Sequence, residues 1–141
     1  MTKLLENGYR VVNIGYVNEV APIANSLGID LWEVIQGAET KPFGYYPFYP
    51  GPGAGGHCIP LSTRLLALQA GSEDFKRTFN TPLLDAVVET DREMPSYIAE
   101  RAESLLLERG LQFSGAHVLG VGVAYKPDVT RASESASLRV V

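Results

Sequence analysis

The chain has 141 residues, 45% hydrophobic and 20% charged, with a formal net charge of −4, enough for one domain or one small domain plus a piece of another. The acidic balance argues against a nucleic-acid partner, and the single cysteine excludes an internal disulfide and a cysteine-based zinc site. His57 and His117 are too isolated to suggest a metal, no run approaches the ~20 apolar residues of a membrane span, and without a signal-peptide pattern the expected setting is a reducing cytoplasm.

Residues 3–27 are predicted to form an amphipathic helix, because Leu5, Tyr9, Val12, Tyr16, Val20, Ile23 and Leu27 recur at steps of three and four. Lys3, Asn7 and Arg10 fall at helical spacing on a neighbouring polar face. Gly8 and Gly15 are expected to weaken this helix by roughly 1 kcal/mol each relative to alanine. Pro22 should kink it, and Gly28 should stop it. Asp30 followed by Glu33 makes a capping-box-like start for a short helix, Leu31 to Ala38.

From Glu39 to Pro60 no period is sustained. A loop of that length inside a compact domain is usually functional or disordered. Phe43, Tyr45, Tyr46, Phe48 and Tyr49 argue for order, since they bring apolar area that needs burying. The loop ends in Gly51-Pro52-Gly53-Ala54-Gly55-Gly56-His57-Cys58-Ile59-Pro60, where glycines free to take positive φ alternate with prolines that fix it. A helix is expected over Leu61 to Ala70, ended by Gly71. Thr81-Pro82 reads as a cap with a first-turn proline, opening a helix to Arg109 that Pro95 should kink or divide and Gly110 should close. His117 to Val123 is a short valine-rich run of the kind found in buried parallel strands. One strand cannot make a sheet, so the last 25 or so residues are expected to need partners outside this chain, which reads as the middle of a larger protein.

Three places could carry chemistry. Cys58 is a candidate nucleophile at the end of a loop whose Gly55, Gly56 and His57 amides could assist it. Lys3 and Asn7, at i and i+4, could converge on an oxyanion, although spacing alone favours solvated surface for such a pair. Lys126, in Tyr125-Lys126-Pro127-Asp128 after the strand, is placed to meet an anion beyond a strand's carboxyl end, or is an ordinary turn lysine. Gly120-Val121-Gly122 does not complete a dinucleotide fingerprint, because position 125 is Tyr125 and no helix clearly follows.

Together these segments resemble the UDP-glucose/GDP-mannose dehydrogenase family of NAD-dependent nucleotide-sugar 6-dehydrogenases. Lys3-Leu4-Leu5-Glu6-Asn7 resembles the lysine and asparagine of its central helix, Gly51 to Pro60 its cysteine loop, and Val118 to Asp128 the opening of its third domain. The resemblance implies a mainly α central dimerisation domain over residues 1–110, followed over 111–141 by the first strand of an incomplete α/β Rossmann-like domain, with the N-terminal NAD domain absent. It implies oxidation of a sugar C6 alcohol to the acid, with Cys58 as covalent nucleophile and Lys3 and Asn7 stabilising the oxyanion. The stretch from Tyr49 to Gly55, with Gly51 and Gly53, would hold the sugar, and Lys126 would reach the nucleotide sugar. NAD is the implied cofactor, a UDP-hexose or UDP-N-acetylhexosamine the implied substrate, and a homodimer through the central helix the implied assembly.

Two positions depart from the family pattern. Ser62 stands where the family carries an aspartate that assists water and proton transfer. Ser133 replaces the arginine of an Arg-Glu-Ser segment whose Glu134 and Ser135 match. A serine cannot act as a carboxylate base, so thioester hydrolysis is expected to be impaired even with the missing domains restored; as a fragment, the chain alone is expected to be inactive. Two other classes compete with this reading: a non-catalytic dimerisation module that keeps only the helical interface, and a small thiol enzyme using Cys58 with His57.

Overall fold

In a computed structural model the described residues are 1–56, 58–70, 81–130 and 132–141. Four α-helices form among them: α1 (Thr2–Ser26), α2 (Leu31–Glu39), α3 (Cys58–Ala70) and α4 (Pro82–Leu107), with a 3-10 turn at Ala136–Arg139. α1 is the spine, packed against α3 and α4 and touching α2.

The faces of α1 are assigned differently from the expectation. The buried set includes Asn7, Gly8, Val11, Gly15 and Asn18, a row at steps of one, three and four that hydropathy alone does not mark. Most of the predicted apolar face looks outward, with Leu5 72% and Tyr16 68% exposed and Tyr9, Ile23 and Leu27 also exposed, while Val12 and Val20 pack partly buried against the core. The two glycines are crossing points. A Cβ on Gly8 would lie 3.6 Å from Leu66 Cδ1 of α3, and one on Gly15 would lie 3.4 Å from Val87 Cγ1 of α4. The lost helix propensity is offset by closer approach of the helices.

Among the described residues two small apolar clusters make the core. Val17 and Ala24 of α1 meet Leu31 and Ile35 of α2. Val11 of α1 meets Ala54 of the loop and Val87 of α4. Helix ends follow local chemistry. Asp30 caps α2 by accepting from the Trp32 amide at 2.9 Å, and Gly28 (φ 68°) and Gly110 (φ 72°) take the left-handed geometry that closes α1 and α4. Pro82 opens α4, but Thr81 makes no side-chain cap, and the helix runs on through Pro95 without dividing. α3 begins at Cys58, three residues before the expected start, and Gly71, its expected stop, lies outside the described residues.

The expected first strand of a Rossmann-like sheet does not form. His117–Val123 is without regular structure, and Leu119 and Val121 are 86% and 90% exposed. The reason is physical: a strand exists through backbone pairing, and among the described residues none pairs with this run. The loop aromatics are also less buried than expected. Tyr49 stacks on Trp32 at 4.9 Å, and Phe48 meets Tyr9 and Tyr46, leaving Phe43 and Tyr46 largely exposed.

Candidate functional site

An open cleft of about 540 Å³ lies between the N-terminal half of α1, the glycine loop, the start of α3 and the C-terminal segment. It is lined by Lys3, Asn7, Arg10 and Ile14, by Gly53 to Gly56, by Cys58 and Ile59, and by Tyr125, Lys126 and Glu134. Its volume suits a small-molecule ligand. Among the described residues, three cations against one carboxylate give it a positive balance in a chain that is negative overall, which favours an anionic ligand.

Cys58, the first residue of α3, is exposed. Behind it the backbone is locked by Asn7, 1% exposed. Asn7 Nδ2 donates to the Cys58 carbonyl at 3.3 Å and to Ser62 Oγ at 2.9 Å, while the Ser62 hydroxyl donates to that same carbonyl at 2.7 Å. Both amide protons of Asn7 are therefore engaged by protein, and its Oδ1 is buried without a partner among the described residues. An oxyanion needs donors. The geometry makes Asn7 a holder of the Cys58 turn and leaves Lys3 and Arg10 as the cationic donors from α1 that line the cleft.

The loop amides are likewise engaged. Gly51 N–H donates to Asn18 Oδ1 at 2.9 Å and Ala54 N–H to Asp91 Oδ1. Gly55 N–H donates to the Gly53 carbonyl at 3.0 Å and Gly56 N–H to the Glu134 carbonyl at 2.8 Å. The expectation that the Gly55 and Gly56 amides serve a reacting group is not met in this conformation, because each is already paired. Gly55 is required for another reason: a Cβ there would sit 2.7 Å from Tyr125 Cβ. Tyr125 thus rests on the loop, and Lys126 Nζ lies 5.6 Å from its ring centroid.

Of the residues singled out in the sequence, the cleft gathers Cys58, Lys3, Asn7, Gly53, Gly55 and Lys126. It does not gather Tyr49, whose ring is stacked on Trp32, or Gly51, whose amide is held by Asn18. His57 lies outside the described residues. Arg10, Tyr125, Glu134, Asn18 and Asp91 were missed as site residues. Asn18 carried a signal, since it falls three turns along the same face as Asn7. No group of His, Cys, Asp and Glu among the described residues could hold a metal, and no described helix is long and apolar enough to cross a membrane.

The profile of the UDP-glucose/GDP-mannose dehydrogenase family's central domain matches residues 1–93. The chain belongs to this family. It is 32% identical over all 141 residues to the UDP-N-acetyl-D-mannosamine dehydrogenase of Methanococcus maripaludis, covering 30% of that protein. It is 28% identical over the same span to the NDP-N-acetyl-D-galactosaminuronic acid dehydrogenase of Ralstonia nicotianae, again 30% of its length. Among solved structures, the UDP-D-ManNAc dehydrogenase of Pyrococcus horikoshii superposes with a TM-score of 0.85 at 31% identity, over 99% of this chain and 32% of that one. The UDP-N-acetyl-mannosamine dehydrogenase of Staphylococcus aureus follows at 0.74 and 32%, over 99% of this chain and 29% of that one. The chain thus spans about 30% of the length of the relatives it matches.

Proposed function

We propose that this chain is the central, cysteine-bearing part of an NAD-dependent nucleotide-sugar 6-dehydrogenase that oxidises the C6 alcohol of a UDP-N-acetylhexosamine or UDP-hexose. In this reading residues 1–110 are the dimerisation domain, 111–141 open the sugar-nucleotide domain, and the protein works in the cytoplasm. One observation carries it: segments far apart in sequence bring Cys58, Lys3 and Lys126 to one positively balanced cleft.

At the aldehyde stage the Cys58 sulfur adds to C6, forming the C–S bond while the carbonyl π pair moves to oxygen. The Lys3 ammonium stabilises that oxygen, and Lys126 and Arg10 attract the diphosphate. Asn7 and Ser62 keep the Cys58 carbonyl and the first turn of α3 in place, so the sulfur arrives in a fixed orientation. NAD supplies the hydride acceptor when bound. The described residues do not form its site: Gly120 and Gly122 are exposed, with no helix after them to receive a pyrophosphate, and no step through NAD is assigned to them. Hydrolysis of the C6 thioester adds water at C6 and returns the thiol to Cys58. Ser62 cannot take that water's proton, being engaged by Asn7 and the Cys58 carbonyl.

The test uses the whole protein with UDP-N-acetylmannosamine, UDP-N-acetylglucosamine and UDP-glucose, following NAD reduction. Cys58→Ser is expected to abolish acid formation, and Ser62→Asp to raise the rate of product release. The 141-residue chain alone is expected to reduce no NAD. Acid formation by Cys58→Ser at the unsubstituted rate would sink the covalent role.

A second reading, a dimerisation module without catalysis, is favoured by the outward apolar side of α1 at Leu5, Tyr9, Tyr16, Ile23 and Leu27. Light scattering decides it, because a monodisperse monomer at micromolar concentration would leave that side with no second copy to cover it.

A further inference from the structure

Asp91, on α4, does not line the Cys58 cleft, yet it holds the loop that leads to Cys58. Its two carboxylate oxygens have separate tasks. Oδ1 accepts the Ala54 N–H. Oδ2 faces the Arg139 guanidinium of the C-terminal turn at 3.5 Å, and the same nitrogen of Arg139 donates to the Asp91 carbonyl at 3.4 Å. The pair also presses on the loop backbone. A Cβ on Gly53 would stand 2.8 Å from Asp91 Oδ1 and 3.0 Å from Arg139 Nη2, at a φ of 130° that only glycine adopts readily. Gly53 and Ala54 both line the cleft. The path of the chain there is moulded on Asp91, and Arg139 fixes which way Asp91 faces.

We infer that Asp91 is a positioning residue for the Cys58 loop, oriented by Arg139, so that the C-terminal turn governs the reactivity of Cys58 without touching it. The coupling runs through one charge-assisted hydrogen bond to a backbone amide, the kind whose loss is felt most when no water can replace it. The reactivity of the thiol toward a simple alkylating agent does not depend on the substrate proposed above.

The experiment measures the second-order rate of Cys58 alkylation by iodoacetamide on the folded, purified protein, together with the amide resonance of Ala54. Asp91→Leu is expected to change the alkylation rate by about threefold or more and to move the Ala54 resonance upfield. Asp91→Asn, which keeps an acceptor for Ala54 but loses the charge that faces Arg139, and Arg139→Gln are both expected to fall between the unsubstituted rate and that of Asp91→Leu. Because Arg139 is half-exposed, its variant tests the idea even if Asp91→Leu does not fold. Leu31→Ala, in the α1–α2 cluster, serves as a control that loosens the fold away from Ala54 and Asp91. Equal alkylation rates in Asp91→Leu and the unsubstituted protein would overturn the inference. So would an equal change in the Leu31→Ala control, which would reduce Asp91 to a contributor to stability.

Discussion

Asn7 and Ser62 are joined by a buried hydrogen bond of 2.9 Å between two helices, across 55 residues of sequence. Each also contacts the Cys58 carbonyl, so the three groups close a triangle under the candidate nucleophile. Ser62→Ala removes the acceptor for one Asn7 proton in a place water does not reach. The expected loss is about 1–3 kcal/mol of stability, the cost of a buried donor left unpaired, measured by urea unfolding. Ser62→Asp keeps an acceptor for Asn7 but has no proton for the Cys58 carbonyl. It also buries a carboxylate beside a carbonyl oxygen, and should therefore lose more than Ser62→Ala.

The contact between Gly55 and Tyr125 gives a sharper test, because the crowding is at the root of the side chain. A methyl on Gly55 would meet Tyr125 Cβ at 2.7 Å, an atom that no change of rotamer can move. Gly55→Ala is expected to cost about 1–3 kcal/mol, as overpacking does. Adding Tyr125→Ala leaves the clashing atom in place and should not rescue it. Adding Tyr125→Gly removes that atom, and a double-mutant cycle should return a favourable coupling of about 1 kcal/mol.

The helix-crossing glycines separate two effects that the sequence cannot. Gly8→Ala places its methyl at ordinary contact distance from Leu66 and gains helix propensity, so it is expected to stabilise by about 0.5–1 kcal/mol. Gly15→Val adds bulk where even a methyl would lie 3.4 Å from Val87, and should destabilise by about 1–3 kcal/mol. Thermal unfolding of the two variants, with opposite shifts of Tm, is the check.

Asn18 is fully buried and its Oδ1 accepts the Gly51 N–H. Asn18→Leu leaves that donor unpaired but also removes Asn18 Nδ2, which has no partner among the described residues. The two effects oppose, so the net loss should be about 1 kcal/mol, the lower end for a buried unpaired group. Faster hydrogen exchange at Gly51, with little change elsewhere in the loop, would show that the lost bond is this one.

Three of the four helices were legible in the sequence nearly to their ends, because capping and stop residues such as Asp30, Gly28 and Gly110 act locally. Cys58, Lys3 and Lys126 were legible as a group only through the family resemblance, since no local rule ties residue 3 to residue 126. The inward side of α1 was misread for a definite reason: hydropathy selected Leu5, Tyr9 and Tyr16, whereas the buried side sets asparagines and glycines, suited to hydrogen bonds and close approach, among Val11, Val17 and Ala24. The strand expected at His117–Val123 was readable as a pattern, but a pattern cannot supply the neighbour that makes a strand. The roles of the loop amides and of Asn7 depended on which atoms were already engaged, and only the three-dimensional arrangement discloses that.

The Cys58 loop is anchored at Gly51 by Asn18 of α1, at Ala54 by Asp91 of α4, and at Gly56 by the carbonyl of Glu134. These tethers come from well-separated stretches of the polypeptide, so the loop is not a transplantable cassette. Grafted onto another helical scaffold without Asn18, Asp91 and the 134 carbonyl, the same residues would keep their spelling and lose their shape.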